Sequence, residues 1–250
     1  MTALVLALME GPGWGWYHPA IIGLLAASIV LIAGFIVIDS RVADPLVEID
    51  LFRNPNFAVC TLVIFMAQFS KMAVIVFGAV YLQERLHFSP FLAGLALLVA
   101  VGPYPFLAGP SGYLTDRFGP QPLMLSSLVL GSIGLAWIGL TVSADSYLLI
   151  APGLLIWGCG VIFMFAPPRS AMMKMVPPEK HGQIGGIAMS GQLVGGTIGM
   201  AVCSMLFSMT RSFAAVFLVN AAIIVVVLIV AWWFVDRDSL SRDEEIAEIT

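Results

Sequence analysis

Apolar residues in this chain gather into long runs parted by short polar stretches, and the lengths of those runs carry the first inference. Crossing the hydrocarbon core of a bilayer takes about 20 helical residues. Runs of that order lie at 20–38, 57–82, 91–108, 123–142, 148–166, 184–208 and 213–235, so each predicts a spanning helix and the chain as a whole an all-α integral membrane protein. Asp39, Arg41 and Asp44-Pro45 stop the first run, Gln83-Glu84-Arg85 the second, and Thr210-Arg211 introduces the last. The four residues Ser143-Ala144-Asp145-Ser146 leave room only for a tight turn between antiparallel neighbours. Two polar stretches are longer: 109–121, read as a turn carrying Asp116 and Arg117, and 167–183, read as a connecting segment. The run at 91–108 contains Gly94, Gly102, Pro103 and Pro105 and should bend, because prolines inside a membrane helix free backbone groups that need other partners.

Residues 1–9 are apolar but too short to cross, and lack the basic start of a signal peptide. They read as the end of a helix whose earlier turns are absent. The expected organisation is a remnant helix plus one full span over 1–38, a connector over 39–56, six spans over 57–235 and a charged tail over 236–250. Aromatic residues Trp14, Trp16 and Tyr17 suit the membrane interface.

Composition agrees. The chain has 250 residues, 60% hydrophobic and only 10% charged, with a mean hydropathy of +1.00, more apolar surface than one soluble core could hide. A net charge of −4 offers no basic surface to nucleic acid. Cys60, Cys159 and Cys203 are far apart within apolar runs and read as free thiols. Basic residues set the expected orientation: alternate connections collect Arg41, Arg53, Arg117, Arg169, Lys174, Lys180, Arg237 and Arg242, and the opposite set only Arg85 and Arg211. The positive-inside rule then puts the Asp116 turn and the C-terminal tail in the cytoplasm, with six spans between two cytoplasmic ends. That is the plan of one half of a two-half carrier in a cell membrane.

The stretch Gly112-Tyr113-Leu114-Thr115-Asp116-Arg117-Phe118-Gly119 resembles the loop signature of the major facilitator superfamily through Gly112, Leu114, Asp116, Arg117 and Gly119. The basic pair that usually follows is replaced by Pro120 and Gln121. Asp44-Pro45-Leu46-Val47-Glu48-Ile49-Asp50-Leu51-Phe52-Arg53, Tyr81-Leu82-Gln83 and Gln192-Leu193-Val194-Gly195-Gly196-Thr197-Ile198-Gly199 are similar to the second half of that superfamily's drug/proton antiporters with 14 spanning helices. The resemblance implies a six-helix C-terminal half preceded by one or two extra helices, small-molecule cargo exchanged for protons, and a partner half of six helices that is missing here. It also implies that the Asp116-Arg117 loop acts as a conformational switch. A cap plus a topology-setting base is the plainer alternative.

Lys71 lies about 21 Å along its helix from Phe57, near mid-bilayer. An ammonium at that depth costs about 2.5–3.5 kcal/mol on insertion scales and should face a water-filled cavity or a partner. Gln68, three residues earlier, shares its face. Together with Tyr104 and Gln192 these are the candidates for a substrate cavity or for coupling, against the alternative of structural hydrogen bonds between helices, which also suits Asn220. Gly191, Gly195 and Gly199 recur every four residues and would let another helix approach closely, either in fixed packing or as a sliding contact. No run holds an Asp or Glu in its interior, so a proton-carrying carboxylate would come from the facing half. No cofactor or metal is expected, and no catalytic motif suggests an enzyme. The competing class is a non-transporting membrane scaffold that completes a separately made half.

Overall fold

The computed structural model describes residues 18–39 and 49–234. Expectations placed on residues 1–17, 40–48 and 235–250, including the remnant helix and the charged tail, lie outside the described residues. After helix α1 (Pro19–Asp39), six helical spans are long and apolar enough to cross a membrane: Pro55–Glu84, Pro90–Phe118, Pro120–Ala144, Tyr147–Lys174, Pro178–Thr210 and Phe213–Phe234.

Three of the six are discontinuous. The first consists of α2 (Pro55–Met72), a π-helical turn at Ala73–Phe77 and α3 (Gly78–Glu84). The second divides at Gly102 into α4 (Pro90–Val101) and α5 (Pro103–Phe118). Pro103 and Pro105 cannot donate to the carbonyls one turn earlier, so the bend expected from sequence falls at this junction. The fourth divides at 163–165 into α7 (Tyr147–Ile162) and α8 (Ala166–Lys174). The third, fifth and sixth are carried by α6 (Pro120–Thr141), α9 (His181–Thr210) and α10 (Phe213–Phe234).

Two expectations about polar stretches are corrected. Residues 109–121 do not form a turn: α5 runs through them to Phe118, and Gly119 alone reverses the chain, with φ 79°, before Pro120 opens α6. Ser111 Oγ donates to Ala108 O at 2.8 Å and Thr115 Oγ1 to Ser111 O at 2.6 Å, giving the backbone around Pro110 extra local bonding. Residues 167–183 are likewise helical in large part. Pro167 and Pro168 occupy the first turn of α8, where a missing N–H costs nothing, and a short 3-10 turn at Pro178–Lys180 leads into α9.

The bundle packs α6 along α7 and α10, and α2 along α9. Trp157 on α7, fully buried, donates from Nε1 to Ser70 Oγ on α2 at 3.3 Å. Antiparallel succession gives the bundle two distinct ends. At one, a cluster joins Phe57 and Cys60 of α2, Met124 of α6, Ala171 and Met172 of α8 and Ile184 of α9. At the other, Arg85 forms a two-pronged ion pair with Asp145, tying the connection after α3 to that after α6. The three cysteines are free thiols.

Candidate functional site

One face of the first span is half-buried along its whole length while the rest is closed. Thr61, Leu62, Phe65, Gln68, Lys71, Met72, Ile75 and Val76 recur at helical spacing on that face, and Val63, Ile64, Met66, Ala67, Ser70, Ala73 and Val74 are buried in the bundle. Gln68 and Lys71 therefore lie on a face turned away from the core, in the last turns of α2 and about halfway along the first span. Lys71 makes no hydrogen bond or ion pair with any described residue. The π-helical turn begins two residues later. Such a turn inserts an extra residue per hydrogen-bonded ring and re-aims the side chains around it.

Against this face lies α9, and its glycines set how close it comes. A methyl group on Gly195 would collide with the carbonyl oxygen of Phe65, and one on Gly199 would sit 2.8 Å from both Phe69 Cα and Phe69 O. At Gly191 the approach is looser, 3.7 Å to Thr61 Cγ2. The two helices thus touch backbone to backbone at Gly195 and Gly199 and splay at Gly191. Gly196 meets Gln68, whose Cγ would be 3.0 Å and Nε2 3.6 Å from a methyl group there. Gln192, half-buried, stands one turn before Gly196 on the same helical face. Where the helices splay, a cavity of about 390 Å³ opens, walled by Thr61, Leu62 and Phe65 of α2 and Ile187, Gly191 and Val194 of α9. It continues the face that carries Gln68 and Lys71.

Tyr104 lies apart from this face, just after the break at Gly102, and its buried hydroxyl has no hydrogen-bond partner. Asn220, like Trp157, bonds across helices, from Nδ2 to Cys203 Sγ at 3.3 Å. The signature residues Gly112, Leu114, Asp116 and Arg117 fall on the last turns of α5, leaving only Gly119 in the turn itself. Asp116 sits at a helix C-terminus, where the helix dipole disfavours a carboxylate and favours Arg117. Both are exposed, Asp116 pairs with no described residue, and the Arg117 guanidinium stacks 5.4 Å from the centre of the Phe118 ring. The structure brings Gln68, Lys71, Gln192 and the glycine stripe into one region and keeps Tyr104 and the signature residues out of it.

Sequence reasoning missed the π-helical turn, the break at 163–165 and the Trp157–Ser70 bond. Nothing in the composition of 73–77 (Ala-Val-Ile-Val-Phe) marks a π turn. The Pro167-Pro168 pair was the available signal for the second.

Comparison with known proteins follows the same lines. The chain matches the family model described as Major Facilitator Superfamily over residues 1–200 and over 57–248. It is 31% identical to the tetracenomycin C resistance and export protein of Streptomyces glaucescens, over 83% of this chain and 39% of that protein. It is 28% identical to the multidrug resistance protein Stp of Mycobacterium tuberculosis H37Rv, over 80% of this chain and 37% of that one. It is 26% identical to the riboflavin transporter RibZ of Clostridioides difficile, over 93% of this chain and 50% of that one. The chain thus spans about two fifths to one half the length of these relatives.

Proposed function

Because the chain belongs to the major facilitator superfamily, we propose that it forms the C-terminal six-helix half of a secondary transporter that exports hydrophobic small molecules in exchange for protons. The observation that carries the reading is Lys71: a cation halfway along a spanning helix, without a partner among the described residues, on the same open face as a largely apolar cavity. An unpaired ammonium at that depth is tolerated where water, cargo or a facing carboxylate meets it. The apolar walls at Leu62, Phe65, Ile187 and Val194 accept a hydrophobic body, and Gln68, Lys71 and Gln192 supply the few polar groups that fix its orientation.

Among the described residues no Asp or Glu lies in the interior of a span; Glu84 and Asp116 stand at helix ends. In this reading the titrating carboxylate therefore belongs to a facing bundle, and the two bundles rock about a shared mid-membrane site. Relatives named for drug resistance and export support the cargo class. Orientation follows from charge. Arg53, Arg117, Arg169, Lys174 and Lys180 gather at one end of the described bundle and Arg85 and Arg211 at the other, five against two, which supports a cytoplasmic first end in an inner membrane.

The test is dye efflux from vesicles holding the assembled transporter under an imposed proton gradient. Lys71→Met is expected to cut efflux by about tenfold or more, with Lys71→Arg retaining most of it, as befits a required charge at mid-membrane. Unchanged rate and unchanged substrate range in Lys71→Met would remove the residue from the site.

A further inference from the structure

A second cavity, of about 290 Å³, lies at the opposite end of the bundle, where the connections after α3, α6 and α9 converge. Its walls include Tyr81 and Glu84 from the end of the first span, Arg211 and Ser212 from the turn between α9 and α10, and the rings of Phe207 and Phe213, whose centres are 4.6 Å apart. Two opposite charges share this cavity without meeting. Arg85, also in its wall, is neutralised by Asp145 through bonds of 3.3 and 3.2 Å. Glu84 and Arg211 pair neither with each other nor with any other described residue.

Helix ends meet at this cavity. Glu84 closes the first span, whose last carbonyls present the negative end of the helix dipole. Arg211, in the left-handed backbone region at φ 50°, ends α9 and immediately precedes α10. There the Ser212 hydroxyl caps the first turn by accepting from Ala215 N at 3.3 Å, and the positive end of a 22-residue helix faces outward. The Glu84 side thus favours a cation, while at Arg211 the carbonyl end of α9 and the amide end of α10 meet and the guanidinium sets the preference for an anion. Tyr81, also in the wall, is 1% exposed, and its hydroxyl is buried without a hydrogen-bond partner. A buried O–H in that state calls for an acceptor from outside the described chain.

We propose that this cavity binds the headgroup of a phospholipid carrying both a primary ammonium and a phosphodiester. The ammonium donates to the Glu84 carboxylate. The phosphodiester oxygens accept from the Arg211 guanidinium and the Tyr81 hydroxyl, and the glycerol end of the lipid rests on Phe207 and Phe213. A purely anionic headgroup leaves Glu84 and the carbonyl end of the first span unanswered, and a purely cationic one does the same to Arg211. The cavity sits where spans leave the hydrocarbon, the depth at which lipid headgroups lie.

Native mass spectrometry of the full protein, titrated in detergent with phosphatidylethanolamine or phosphatidylglycerol, tests this. Wild type is expected to retain phosphatidylethanolamine several-fold better. Glu84→Gln should erase that preference while leaving phosphatidylglycerol binding intact, and Arg211→Gln should weaken retention of both lipids about tenfold, the worth of a charge-assisted bond. Both positions are exposed, so folding is not at stake, and unchanged melting temperatures confirm it. Equal retention of the two lipids by wild type, or a preference that survives Glu84→Gln, overturns the proposal. Displacement of the lipid by free phosphoethanolamine at matching concentration also overturns it, in favour of a soluble zwitterion.

Discussion

The fifth and sixth spans are similarly uncovered by the rest of the bundle, yet they are made of different material. Only 28% of the apolar stretch of Pro178–Thr210 and 33% of that of Phe213–Phe234 is buried, whereas mean hydropathy is 1.6 in the former and 3.1 in the latter. What α10 exposes is Val225, Val226, Ile229, Trp232 and Trp233, a surface that hydrocarbon and its interface solvate well. What α9 exposes includes Gly186, Ser190 and Ser208 beside Met189, Leu193, Met205 and Met209, with Gln192 and Thr197 half-buried. Polar groups at membrane depth are expensive in lipid and suited to a cavity, and small ones suit the close approach of another helix. In the proposed function equal exposure therefore has two meanings: α10 would face lipid, and α9 the space where cargo and a second bundle would lie.

Substitutions sharpen the contrast, and the largest effect is expected at the glycine contact. A Gly199→Leu side chain would enter the space held by Phe69 backbone atoms 2.8 Å from the first added carbon. Overpacking of this kind costs about 1–3 kcal/mol or forces α2 and α9 apart, so yield of folded protein and efflux should both collapse. Val226→Leu on α10, fully in the lipid-facing stripe, should change neither. Next comes Lys71→Met, whose expected loss of efflux without loss of folded protein separates a site residue from a packing residue. Fluorescence-detected chromatography checks the yield and vesicle efflux the activity.

Much of this plan can be read from the sequence, because spans are set by length and apolarity, and the bilayer enforces both. The first, third and sixth spans come out close to their observed bounds, while the second, fourth and fifth continue into stretches that read as polar connections. The glycine spacing points to close helix contact, and the structure supplies its partner, α2. Where reading failed, the cause was local. Gly109-Pro110-Ser111-Gly112 looks like a turn by composition, yet in a membrane the backbone must bond to itself, so α5 runs straight through and Gly119 alone reverses the chain. Asp116 and Arg117 thereby move from a loop to a helix end. The π-helical turn beyond Lys71 and the splay at Gly191 depend on how α2 and α9 meet, which no single run of residues encodes.

Smaller effects test the closed side of the first span. Trp157→Phe removes the donor to Ser70 Oγ while keeping the ring, and should lower stability by about 1 kcal/mol with transport little changed. Thermal unfolding in detergent measures it, and a loss several times larger would mean that α7 and α2 are held together by more than packing and this one bond. Smaller still, Asp116→Asn removes an exposed carboxylate from a helix C-terminus. If the residue has no further role, stability should rise slightly, by about 0.3–1 kcal/mol. A drop in efflux despite that gain would assign Asp116 to a switch.

The difference between α9 and α10 can be measured directly by labelling single cysteines, introduced at Ser190, Gln192, Val226 and Ile229 into the protein freed of its native thiols, with a water-soluble maleimide in intact membranes. The account predicts reaction at 190 and 192, slowed when a transported compound is added, and none at 226 or 229. Equal labelling at all four positions, or protection of 190 and 192 to the same degree as 226, would contradict it, because α9 would then face lipid as α10 does.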